Sequence, residues 1–76
     1  MNNSRRKRIN ESIKLLEDAQ AKLKKALDEE QNALSSLPED EEYDDMRDGM
    51  DDVISSLENT LSSLDDALST LNDSDF

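Results

Sequence analysis

The side chains of this chain that could carry chemistry are almost all carboxylates: twenty Asp and Glu stand against nine Lys and Arg, with no histidine, cysteine or tryptophan. Nucleophilic triads and thiolate or imidazole zinc sites need residues that are absent. General acid and base work by paired carboxylates requires two groups in unlike surroundings. The adjacent pairs Asp51-Asp52 and Asp65-Asp66 fall on neighbouring solvated helix positions, so that contrast is missing. A carboxylate di-iron centre needs Glu-x-x-His motifs facing inward, and the helix seams described below offer only Glu30. Phosphate loops and dinucleotide fingerprints need glycines after a strand, whereas the single glycine is Gly49, with no strand before it. The run Asp44-Asp45-Met46-Arg47-Asp48-Gly49 has acids at the first and fifth positions and glycine at the sixth of a calcium loop. Met46 at its third position and Ser55 at its twelfth leave out two oxygen ligands, including the bidentate one. The reading is therefore a protein that is not an enzyme, with no catalytic, cofactor-binding or metal site.

What remains is charge. Residues 1–38 hold eight bases and six acids, a balance of +2, and residues 39–76 hold one base and fourteen acids, a balance of −13. The basic cluster Arg5-Arg6-Lys7-Arg8 is the part a nucleic-acid reading would use. It has no interleaved aromatics for base stacking, and a folded-back chain sets it beside Asn72, Asp73 and Asp75, so internal charge complementation accounts for it. The acidic columns Asp44, Asp51, Glu58, Asp65 and Asp45, Asp52, Asp66, Asp73 form a ladder along one side of the second half. They are the candidate partner face. Mimicry of a nucleic acid is its sharpest interpretation: 38 helical residues span about 57 Å, or one net charge per ~4 Å, against one per about 1.7 Å of duplex. The plainer interpretation is a solvated face that keeps a leucine-rich hairpin dispersed.

The elements that must position these residues are two helices. Breakers are confined to Pro38 and Gly49, so the chain divides at Ser35-Ser36-Leu37-Pro38-Glu39-Asp40. In the first half Ile9, Ile13, Leu16, Leu23, Leu27, Leu34 and Leu37 follow alternating steps of four and three, with Gln20 and Glu30 filling the two polar positions of the seam. The second half repeats every seven residues from Asp44 to Leu71, and its seam is Tyr43, Arg47, Met50, Ile54, Leu57, Leu61, Leu64, Leu68 and Leu71. The spacing predicts an all-α antiparallel two-helix hairpin with a coiled-coil seam: helix one about 3–35, loop about 36–42, helix two about 43–72. Ser36 with Glu39, or Asp44, is the expected cap of helix two. Folding the seams together makes facing residue numbers sum to about 77, which pairs Leu27 with Met50, Leu23 with Ile54 and Leu16 with Leu61. It also sets Glu30 opposite Arg47 as an ion pair that would fix the register.

A single hairpin shields each seam from one side only, while ordering the backbone costs on the order of 1–2 kcal/mol per residue. The columns beside the seams suggest what completes it. Ser12, Ala19, Ala26 and Ala33 on helix one and Met46, Val53, Thr60 and Ala67 on helix two lie on the same edge of an antiparallel pair. The expectation is a homodimer that joins two hairpins through this edge into a four-helix bundle.

The longest apolar runs are pairs such as Leu15-Leu16 and Val53-Ile54, far below the roughly 20 residues that cross a bilayer, so no membrane is involved. The basic start lacks the apolar segment of a signal peptide, and with no cysteine to suggest an oxidising compartment the expected location is the cytoplasm.

Arg5-Arg6-Lys7-Arg8-Ile9, Glu29-Glu30, Ala33, Leu37-Pro38-Glu39, Arg47, Met50 and the heptads from Asp51 to Leu71 together resemble a group of short helical-hairpin proteins encoded by phages and mobile elements of bacteria. The likeness spans nearly the whole chain and departs at Glu41-Glu42-Tyr43, where a more polar, uncharged stretch is expected. It implies an accessory protein and carries no activity or site residue with it. Three functions follow: a protein-binding module acting on a host or phage protein, an acidic nucleic-acid mimic in the basic groove of a DNA- or RNA-binding protein, or a structural and assembly component.

Overall fold

The computed structural model describes residues 3–74, and within them the chain is a helical hairpin. Helix α1 (Asn3–Ser36) and helix α2 (Asp44–Asp73) pack against each other and are joined by a short segment containing a 3-10 turn, Glu41–Tyr43. The molecule is a rod of 60 × 15 × 13 Å.

Each boundary has a local cause. The residue before a proline is driven out of the α region, so α1 stops at Ser36 and Leu37 closes it with a bond from its N–H to the Leu34 carbonyl at 3.2 Å. The Tyr43 N–H then donates to the Asp40 carbonyl at 3.1 Å, closing the 3-10 turn that feeds into α2. No side chain caps α2, which corrects the expectation for Ser36 and Asp44. The Ser36 hydroxyl donates back to the Asn32 carbonyl within α1, and Asp44 is already the first helical residue. The exposed amides there are served by charge instead: Asp44 and Asp45 in the first turn of α2 complement the positive end of its dipole.

The seams are where the spacing put them. Every seam residue, from Ile9 to Leu37 on α1 and from Tyr43 to Leu71 on α2, is buried or half-buried, and every other described residue is exposed. The helix ends agree with the folded-back register, since Asn3 and Asp73 begin and end the helical pair and Ser36 and Glu41 bracket the loop.

The core is thin. Among the described residues only Ile54 and Leu68 are buried, at 9% and 6% exposure. The surface of 5844 Å² exceeds the roughly 4,700 Å² that area scaling gives a compact monomer of 8.6 kDa.

The Glu30–Arg47 pair does not form. Arg47 instead binds Asp44 Oδ1 at 3.1 Å and donates to the Pro38 carbonyl. Side chains on a helix lean towards its N-terminus, so an arginine in the first turn of α2 reaches the loop rather than straight across to α1. Arg47 thus ties the loop to α2. With its side chain 29% exposed and Asp44 62% exposed, the ion pair itself contributes about 0–1 kcal/mol.

Candidate functional site

Outside the seam, the hairpin has two contrasting long faces, and both follow from the 100° step between successive helical residues. Residues that precede alternate seam positions by one stand about a quarter-turn from the seam, and in an antiparallel pair they point to the same side on both helices. On α2 this column is Met46, Val53, Thr60 and Ala67, and the column just outside it is Gly49, Ser56, Ser63 and Thr70. No charged residue occurs in either. On α1 the matching columns are Arg5, Ser12, Ala19, Ala26, Ala33 and, outside them, Arg8, Leu15, Lys22, Glu29 and Ser36, so the face is uncharged on α2 and carries charge on α1. All of these residues are exposed.

Among the described residues the exposed large hydrophobics are on this side: Leu15 is 70% exposed, Met46 55% and Val53 46%, with Leu15 about 13 Å along the rod from the level of Val53. Leu15 escaped the sequence reading because it stands outside the column of small residues. Its spacing of three from Ser12 and four from Ala19 is the signal that places it there. The two buried seam residues, Ile54 and Leu68, belong to the α2 seam column farther from this face, while Leu61 of the same column and every seam residue of α1 are half-buried.

Gly49 lies between Met46 and Val53. A Cβ built there meets nothing within 4 Å, its φ is not positive, and α2 begins five residues earlier. Neither a late helix start nor a close neighbour within the chain explains a residue that costs a helix interior about 1 kcal/mol relative to alanine.

The opposite side of α2 is acidic. Asp44, Asp51, Glu58 and Asp65 flank the seam, Asp45, Asp52 and Asp66 stand behind them, and all are exposed. Among the described residues no group of three or more acids converges as metal ligands would. The calcium-like run from Asp44 is continuous α-helix, a geometry that projects successive side chains in different directions instead of wrapping them round an ion. Of the basic cluster, Arg5, Arg6, Lys7 and Arg8 are exposed on the first turns of α1, and Asp75, one of the acids expected beside them, lies outside the described residues. No described helix is long and apolar enough to cross a membrane.

No family model matches the chain, and neither the curated proteins nor the solved structures contain one significantly similar to it.

Proposed function

We propose that this protein is a non-enzymatic interaction module that works as a homodimer, two hairpins joined through their uncharged faces into a four-helix bundle, with the acidic side of α2 turned outward to engage a protein partner. The observation that carries this is the division of α2: its exposed acids keep to one side, while the columns from Met46 to Thr70 on the other hold no charge. A helix that needed charge only for dispersal could spread it over its whole exposed surface. Apolar residues left on a charge-free strip are what an interface requires. The resemblance to phage and mobile-element proteins supports an accessory role acting on a host or phage protein in the cytoplasm.

Solution mass by light scattering tests the assembly, on the wild type and on Ala26→Glu and Val53→Glu. The expected result is a wild-type dimer, about twice 8.6 kDa, that each glutamate converts to monomer or unfolds. A stable wild-type monomer overturns the homodimer. For the acidic face, Asp51→Asn, Asp52→Asn, Asp65→Asn and Asp66→Asn together should leave the dimer mass unchanged while abolishing capture of the partner. The nucleic-acid mimic remains a second reading because the same acids form a ladder, and salt separates the two. Binding carried by the ladder alone should collapse between low and moderate ionic strength, whereas a mixed protein interface loses only part of its affinity.

A further inference from the structure

Resting on the homodimer reading, we infer that the two hairpins stack about a two-fold axis parallel to the helices, so that α1 of each copy lies over α2 of the other. The occupant of the uncharged face is thus the same face of a second copy, in one register. Three observations bear on it: charge selects this axis over a perpendicular one, and area and side-chain size are compatible with it.

The first is area. The excess of the hairpin's 5844 Å² over the roughly 4,700 Å² of a compact chain of this mass is about 1,100 Å². That is comparable with the ~800 Å² per partner that a standard specific interface buries.

The second is charge. Stacked helices lie about 8–10 Å apart, no farther than a Debye length at physiological salt. A two-fold axis perpendicular to the helices would set α2 on α2, bringing the two halves of charge −13 together. The parallel axis sets each acidic α2 over an α1 from the half of charge +2.

The third is side-chain size. With equal levels facing, the nearest pairs of these columns across the stack have residue numbers that sum to 78 or 79, within about two of the hairpin's own 77. Met46 then meets the partner's Ala33, Val53 meets its Ala26, and Leu15 meets its Ser63. The partner's Glu29 comes to Gly49, where a Cβ would find nothing within its own chain. Each large side chain lands on a small one, and the glycine gains a reason to be there.

The chain has no cysteine, so single introduced thiols report unambiguously. Chains carrying A26C are mixed with chains carrying V53C, and separately chains carrying A19C are taken alone, under mild oxidation, with circular dichroism verifying that each variant is helical. A perpendicular axis through the middle of α1 (Asn3–Ser36) would set Ala19 of one copy against Ala19 of the other. A disulfide requires Cα atoms roughly 4.4–6.8 Å apart. The expected outcome is a disulfide-linked heterodimer from the mixture as the main product and little linked dimer from A19C alone, whose thiols only the perpendicular axis would bring together. The reverse pattern overturns the parallel axis. No cross-link in either case, while light scattering still gives a dimer, shows that another surface joins the copies and overturns this register and the uncharged-face interface, leaving only the dimeric state. A monomer by light scattering removes both.

Discussion

Replacing Gly49 by alanine should stabilise the protein, and the size of the effect follows from the structure. Gly49 sits inside α2 with ordinary helical backbone, and a methyl group added there meets no atom of the chain within 4 Å. Nothing intramolecular opposes the gain in helix propensity, about 1 kcal/mol. Unfolding entropy near the midpoint is about 2.1 cal/mol/K per residue, so a 76-residue chain unfolds with about 0.16 kcal/mol/K and the midpoint should rise by about 6 °C. Thermal unfolding followed by far-ultraviolet circular dichroism over a range of chain concentrations is the assay. The full rise is expected at the lowest concentration. It should shrink as concentration increases, because the same methyl group narrows the space the partner's α1 occupies in the stacked dimer. A midpoint that falls at every concentration would refute the reasoning, since it would mean that the space beside Gly49 is filled within the single chain.

Two further substitutions probe the hairpin itself. Ile54→Ala should cost about 2–4 kcal/mol in a denaturant titration, because Ile54 is one of the two buried residues, whereas Leu15→Ala, 70% exposed, should cost little in the isolated hairpin and act instead on the dimer dissociation constant measured by sedimentation. Arg47→Ala should lower stability by about 1 kcal/mol through loss of its bond to the Pro38 carbonyl. Glu30→Gln should leave that contribution intact, and a double-mutant cycle that returned appreciable coupling between Arg47 and Glu30 would contradict the observed geometry.

The fold was almost fully legible because a period of seven is global information: each leucine of the second half confirms the phase of the others, and the burial pattern follows that phase from Tyr43 to Leu71 without a slip. What sequence reasoning missed depends on the direction of single side chains. Spacing placed Glu30 and Arg47 at the same level, yet it carries nothing about the lean of a long side chain towards its helix N-terminus, which takes Arg47 to Pro38. Capping failed in the same way. Ser36 and Asp44 have the right chemistry, but the 3-10 turn Glu41–Tyr43 sits between them, so Ser36 remains in α1 and Asp44 falls inside α2. Of the candidate site, the column from Met46 to Ala67 was legible from spacing alone. Leu15 was not, because a lone leucine among Lys14, Glu17 and Asp18 reads as ordinary surface until the opposite helix shows an uncharged column on the same side.

The acids of α2 also constrain the proposed assembly. Two chains of net charge −11 repel over any approach that sets acid against acid. Of the two long faces of the hairpin, the one whose α2 columns hold no acid therefore offers the less repulsive approach. A charge pattern of this kind specifies an interface without contributing a contact to it, by making the alternative worse. In the proposed stacked dimer each acidic side would be turned away from the two-fold axis, so self-association would leave both acidic ladders accessible. A partner that recognised one ladder would meet a second, identical one on the far side of a bundle two hairpins thick, each hairpin 13–15 Å across. A partner with two sites at that separation would bind the dimer far more tightly than the isolated hairpin. Weakening the dimer through Leu15→Ala should consequently reduce the apparent affinity of a bivalent partner while leaving that of a monovalent fragment unchanged. Equal losses for both would show that Leu15 itself touches the partner and that the uncharged face, not the acidic one, is where the partner binds.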